Sequence, residues 1–260
     1  MKMGYEGLSS DLAIPKQELV DGMTDGIWGD RLRYPENEED FLELVEEIET
    51  EVVGGKHVVI VDGSFDVPHP NHQWYLTHAR VLGEYDNQLK RGVDISDVPP
   101  TPESDEVFLV VTLDTDQRVA NVKSSKPGNR PVYPWRLRAM TLCNFMVPTP
   151  EPNRFRPVVD LVAIDADPSE PISSVATHRK LAEELVRRDA LGTWVIYEEH
   201  GKAIDLARTI CDSSRTDAKV RVIDTGTTYM KDENGIRWNS SGLVARILGD
   251  EPYHVPQTQD

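Results

Sequence analysis

The 260 residues carry 45 aspartates and glutamates against 28 lysines and arginines, a formal net charge of −17. So acidic an exterior repels polyanions, which argues against an extended nucleic-acid groove and means that a small phosphorylated ligand needs a local basic pocket. The length suffices for one large α/β domain or a domain with an appendage; no run approaches the ~18 to 20 apolar residues of a membrane span, the N-terminus lacks a basic-then-apolar signal, and with Cys143 and Cys211 read as reduced thiols a soluble cytoplasmic protein is expected.

Residues 1 to 36 mix Gly, Pro and polar side chains without a sustained period and read as an irregular arm with a short helix near Pro15 to Asp21. From Asn37 the pattern sharpens. Phe41, Leu44, Val45, Ile48 and Val52 form one apolar stripe, Asn37 caps it, and Gly54-Gly55 stops it. Val58 to Val61 is a continuous apolar run that ends at Asp62-Gly63-Ser64, as a buried parallel strand ends at the tip of a sheet. Pro70 is pre-set for a first helical position, and Tyr75, Leu76, Ala79 and Leu82 follow at helical spacing. His69 and His72 therefore flank a helix N-terminus, where unpaired backbone N–H groups and the positive end of the dipole favour an anion. A phosphate is the natural ligand.

Glu84 to Glu106 is polar and proline-containing, longer than the usual connection, and reads as an insertion: a lid, a disordered excursion or a plain surface loop. Val107 to Leu113 is a second buried strand with Asp114 and Asp116 at its C-terminal end. Lys123, Lys126, Arg130, Arg136 and Arg138 then concentrate positive charge in an acidic chain. Lysine acts on phosphate as a mobile point charge and arginine as a fixed fork, so the mixture suits a site where phosphate departs. Leu137, Met140, Thr141, Phe145 and Met146 are expected as the core face of a helix, and Pro148 to Pro157 as an irregular link. Val158 to Ile164, Thr193 to Tyr197 and Lys219 to Asp224 complete five strands, alternating with helices over Ala176 to Arg188 and Ala203 to Ile210. Alternation of this kind predicts a Rossmann-like five-stranded parallel sheet with helices on both faces and ligands at the C-terminal strand ends. An N-terminal helical extension (1–55) precedes the main domain (56–250). Near its end a hairpin is expected over Thr227 to Trp238, turning at Asn234-Gly235, followed by a helix opened by Ser240 and Ser241; 251–260 is a tail.

Gly63-Ser64-Phe65-Asp66-Val67-Pro68-His69-Pro70-Asn71-His72 resembles the G-x-F-D-x-x-H-x-G-H loop after the first strand of the nucleotidyltransferase superfamily. The departure is Asn71, where glycine lets phosphate approach the backbone and tolerates a left-handed conformation. Lys123 to Pro134 with Arg138, and Ser240-Ser241, resemble the same superfamily's basic segment and closing helix start. Over roughly 56–249 the chain is most similar to the branch holding heptose-pathway sugar-phosphate adenylyltransferases and glycerol-3-phosphate cytidylyltransferase. Gly242, and Tyr197-Glu198-Glu199-His200-Gly201 where the family often has Gly-Gly-Asp, depart from its pattern; His200 is equally readable as a surface histidine or a ligand.

The resemblance implies transfer of a nucleoside monophosphate from an NTP, ATP favoured, to a small phosphate ester such as a sugar phosphate, with Mg²⁺ present. His69 and His72 would hold the triphosphate, Lys123 or Lys126 and Arg138 would offset charge on the departing pyrophosphate, and Gly63, Ser64, Phe65, Arg130, Ser240 and Ser241 would bind the nucleotide. Asp66 and Asp116 would face the acceptor. A CTP-dependent polyol-phosphate enzyme and a non-catalytic nucleotide-binding subunit are the alternatives; a homodimer is in keeping with the family, and neither nucleic acid nor membrane is an expected partner.

Overall fold

The computed structural model of the chain describes residues 29–35, 37–124, 130–149, 151–164, 176–198, 200–213 and 216–223. In chain order a short 3-10 turn, Gly29–Arg31, leads to β1 (Leu32–Arg33), α1 (Glu38–Val53), β2 (His57–Gly63), α2 (Pro70–Lys90), β3 (Val107–Leu113), α3 (Asp116–Val122) and α4 (Trp135–Cys143). Then follow β4 (Met146–Pro148), β5 (Phe155–Pro157), β6 (Leu161–Ile164), α5 (Ala176–Arg187), β7 (Thr193–Tyr197), α6 (Gly201–Ser213) and β8 (Lys219–Ile223). The main sheet has the order β1-β6-β3-β2-β7-β8, and every neighbouring pair in it is parallel. After the edge strand β1, the chain enters the centre with β2, steps outward to β3 and β6, and returns to the other side of β2 for β7 and β8. The reversal between β2 and β7 makes a topological switch point at the C-terminal strand ends, the place where open α/β sheets bind their ligands.

Alternate residues of β2 serve opposite faces, as a strand's two-residue period requires. Val59 and Val61 join α2 (Tyr75, Leu76, Ala79) and α4 (Ala139, Leu142) in one core, while Val58 and Ile60 join α1, α5 and α6 in the other. The Asn37 carboxamide accepts from the backbone N–H groups of Glu39 at 2.9 Å and Asp40 at 3.0 Å, so it caps α1 as its position predicts. On α2, Gly83 lies so close to the sheet that a Cβ would stand 2.2 Å from Val59 Cγ2. Among the described residues no helix is long and apolar enough to cross a membrane.

The sheet has six strands rather than five, because Leu32 and Arg33, in the segment read as an irregular arm, pair in parallel with β6 at the edge. Two residues are too few to show a period. The expected helix near Pro15 to Asp21, the hairpin over Thr227 to Trp238 and the helix start at Ser240 and Ser241 lie outside the described residues. Pro148 to Pro157, read as a link, closes a small antiparallel hairpin between β4 and β5. The expected core face of α4 is also shifted: Trp135, Arg138, Ala139, Leu142 and Cys143 are buried, whereas Leu137 and Met146 are exposed. An arginine on the inward face hides the stripe from a hydrophobic pattern.

The first part of the apparent insertion is helix, since α2 runs on to Lys90. Its second half is polar yet buried. Ser104 Oγ donates to Glu84 at 2.7 Å, Asn87 donates to Glu106 at 3.0 Å, and Asp86 accepts from Thr193 Oγ1 at 2.9 Å and pairs with Arg221. The His57 ring completes this last chain through its Nε2, 2.8 Å from Thr193 Oγ1. The remaining loop, 91–106, feeds the N-terminal end of β3 and is clamped there. Wholly buried Arg80 donates to the carbonyls of Ser104 (3.0 Å) and Val107 (2.7 Å) and pairs with Asp160, and Arg156 reaches the Glu103 carbonyl at 2.9 Å. That end of the sheet is opposite the C-terminal strand ends from which the histidine pair follows, so 91–106 is no lid over them.

Candidate functional site

The loop leaving β2 is shaped by its own phenyl ring. A Cβ on Gly63 would stand 2.7 Å from Phe65 Cε2, so only glycine admits the ring there. Phe65 itself holds φ at +40°, strained for a bulky side chain, and is buried with its ring edge-on to His72 at 5.0 Å. Asp66, next along, is wholly buried. Its carboxylate pairs with buried Arg130 and accepts the Val132 N–H at 2.7 Å, latching 130–132 onto the loop.

His69 is the N-cap residue of α2, with extended backbone (φ −148°, ψ 169°), and Pro70 takes the first helical position. The His69 carbonyl accepts from His72 N at 2.9 Å, and the two imidazoles stack with centroids 3.7 Å apart and planes 23° from parallel. His69 is only 6% exposed. Both of its ring nitrogens, and Nδ1 of His72, are inaccessible and have no hydrogen-bond partner. Burial, reinforced by the Lys123 charge, brings the His69 pKa down to about 4, and burial followed by His69 and Lys123 holds that of His72 well below the ordinary value. Both rings are neutral at neutral pH. A buried polar group without a partner is unfavourable by about 1 to 3 kcal/mol, and three such nitrogens lie together at the dipole's positive end. Asn71 is buried inside the first turn and has no left-handed backbone, such angles being confined among non-glycine residues to Phe65, Asn153 and Asp189. Glycine's backbone freedom is therefore not what this position needs.

Lys123 closes the C-terminal end of α3. Burial lowers its pKa to about 8 against the opposing pull of Asp66, with Arg130, Asp114 and Arg138 also within its field. The lysine thus belongs to the same electrostatic cluster as the histidine pair. Asp116 begins α3, and its Oδ1 accepts from Trp135 N at 2.7 Å and Arg138 Nη2 at 2.8 Å while the side chain stays 39% exposed.

The two arginines expected to touch phosphate or nucleotide serve a different purpose here. Arg138 is wholly buried, and its guanidinium donates to the carbonyls of Tyr133 (3.0 Å), Asp114 (2.8 Å) and Ser64 as well as to Asp116. Those contacts use four of the five N–H groups an arginine carries. Arg138 is a brace tying the loop after β2, the end of β3 and the start of α4 together. Arg130 is likewise committed to Asp66, which in turn has no surface to offer an acceptor. Of the other expected nucleotide contacts, Gly63 accommodates Phe65 and Ser64 offers its carbonyl to Arg138; Lys126, Ser240 and Ser241 lie outside the described residues.

At the C-terminal end of β7, Tyr197 stacks on Tyr75 of α2 at 3.9 Å, and the Tyr75 hydroxyl donates to the Val195 carbonyl at 3.3 Å. His200 is exposed, stands edge-on to Tyr197 at 6.1 Å, and caps α6 through its carbonyl. Sequence reasoning missed this aromatic wall. The available signal was Tyr75 one helical turn beyond His72, facing a strand that ends in tyrosine. Neither the models of known protein families nor the curated proteins include a match to this chain.

Proposed function

We propose that the chain is a nucleotidyltransferase that moves a nucleoside monophosphate from an NTP, with ATP favoured, onto a small phosphate ester and releases pyrophosphate. The observation that carries this reading is the stacked His69 and His72 pair, with three buried ring nitrogens that lack partners among the described residues, at the N-terminus of α2 beside the sheet's topological switch point. An acceptor phosphate oxygen would attack the α-phosphorus in line, and the bond to the bridging oxygen would break. Phosphate is already a nucleophile, so catalysis reduces to positioning and charge stabilisation. The imidazoles would donate N–H bonds to the α and β phosphates, Lys123 would supply the mobile cation, and Asp116 would offer its exposed edge to the acceptor. Mg²⁺, arriving on the triphosphate through phosphate oxygens and water, would offset further charge. Arg138 and the Asp66–Arg130 pair would hold these groups in register.

Pyrophosphate release from each of four NTPs, against a panel of sugar and polyol phosphates, tests the reading and separates ATP from CTP dependence. His72→Ala should reduce turnover by ~10²- to 10³-fold, as loss of one charge-stabilising donor usually does; near-normal turnover in folded protein would refute the assignment. A second reading, nucleotide binding without turnover, is favoured by the commitment of Arg130 and Arg138 to internal pairs. Calorimetric NTP binding with no product under any acceptor would select it.

A further inference from the structure

The hydrogen-bond count at the histidine pair does not balance for an anionic ligand. A phosphate oxygen only accepts, and a neutral imidazole has one N–H and one lone pair. Three buried ring nitrogens, His69 Nδ1 and Nε2 with His72 Nδ1, lack partners, yet two neutral rings carry only two N–H groups between them. At least one of the three therefore carries a lone pair rather than a proton. A polyphosphate meeting all three would face that lone pair with an oxygen, unless a proton is added to the pair.

We infer that the stacked His69 and His72 rings take up one proton, and only one, as a polyphosphate enters, so that the site binds its anion and a proton together. The inference rests on the anion site of the proposed function and adds its proton linkage. The limit of one follows from the stack, since imidazolium rings 3.7 Å apart repel. Before the ligand arrives, the influences on the two rings from the described residues disfavour the charged form. Lys123 presents a cation from the end of α3, the helix N-terminus adds its positive dipole, and burial disfavours either ring's charge. Asp66 faces Lys123 from the loop after β2 and Asp114 from the end of β3, but Arg130 and Arg138 face it too, from the following loop and α4; Asp66 is matched by Arg130 and Asp116 by Arg138. The several negative charges of the ligand reverse that balance.

The test is a titration of the full chain, labelled with ¹⁵N-histidine, with inorganic tripolyphosphate near neutral pH, following ring-nitrogen shifts that distinguish imidazole from imidazolium. His69→Gln and His72→Gln assign the two rings among the seven histidines. The expected result is two neutral rings without ligand and one imidazolium equivalent summed over the pair at saturation. Binding that leaves both rings neutral, or makes both cationic, would overturn the inference while leaving the anion site standing, and so would a cationic ring before ligand is added. No binding of tripolyphosphate would remove the inference and the proposed function together.

Discussion

Arg138 separates a phosphate contact from a brace, and Arg138→Lys distinguishes the two. The wild-type guanidinium spans four acceptors on three segments of chain: the carbonyls of Ser64, Asp114 and Tyr133 and the Asp116 carboxylate. A lysine keeps the charge but gathers its three donors on one nitrogen and cannot reproduce a planar fork. At least one buried carbonyl is left unmatched, and one or two charge-assisted bonds of about 1.5 to 3 kcal/mol each are lost. The share belonging to partly exposed Asp116 counts for less, being screened by water. The expected loss in urea-unfolding free energy is therefore about 2 to 5 kcal/mol, against a typical total of about 5 to 15. Calorimetric affinity for tripolyphosphate in folded Arg138→Lys protein should meanwhile stay within about two-fold of wild type, because the residue does not touch the ligand. Unchanged stability with a ten-fold or greater loss of affinity, about 1.4 kcal/mol, would refute the brace and restore Arg138 as a phosphate contact.

Breaking the buried Asp66–Arg130 pair by Asp66→Asn leaves an arginine charge without its partner, and should lower stability by about 3 to 5 kcal/mol by denaturant titration; a loss below about 1 kcal/mol would mean that water reaches the pair. Burial lowers the pKa of His57, as of His69, to about 4, so the unfolded chain takes up these protons first. The stability they provide is complete above the ordinary value near 6.5 and is lost as pH falls from there towards about 4. The two together imply a decrease of about 3 to 4 kcal/mol between roughly pH 7 and pH 5, and a smaller decrease in His57→Gln; a flat profile would contradict neutral burial. Because 91–106 joins the N-terminal end of β3, replacing 94–98 by a short Gly-Ser linker should leave tripolyphosphate affinity unchanged by calorimetry. A marked loss would place that loop over the site after all.

The elements that were legible in the sequence are those where apolar pattern and punctuation agree. β7 occupies the span expected for it, and α1 begins at Asn37 with the capping bonds its carboxamide was expected to make. What the pattern concealed is polar burial. Glu84, Asp86, Asn87 and Gln88 read as a solvent-facing excursion because each is polar, yet each is buried in the second half of α2. Hydrophobic periodicity carries no mark for a polar group whose partner comes from a distant segment, such as Asp86 with Thr193 and Arg221.

The candidate site shows the same limit in sharper form. A run of lysines and arginines near a histidine pair signals phosphate by composition, but composition does not distinguish a cation offered to a ligand from one spent on the protein. Geometry does. Arg138 has its acceptors on every side and Arg130 is paired with Asp66, so both are engaged by the protein itself. His69 has two ring nitrogens and no protein partner for either. Burial drives both kinds of residue to satisfy their polar atoms; the arginines do so within the chain, and among the described residues three ring nitrogens of the histidines do not. Of the five described basic positions that the sequence assigned to phosphate or nucleotide, the two arginines act as internal braces, which leaves His69, His72 and Lys123 as the candidates for a ligand.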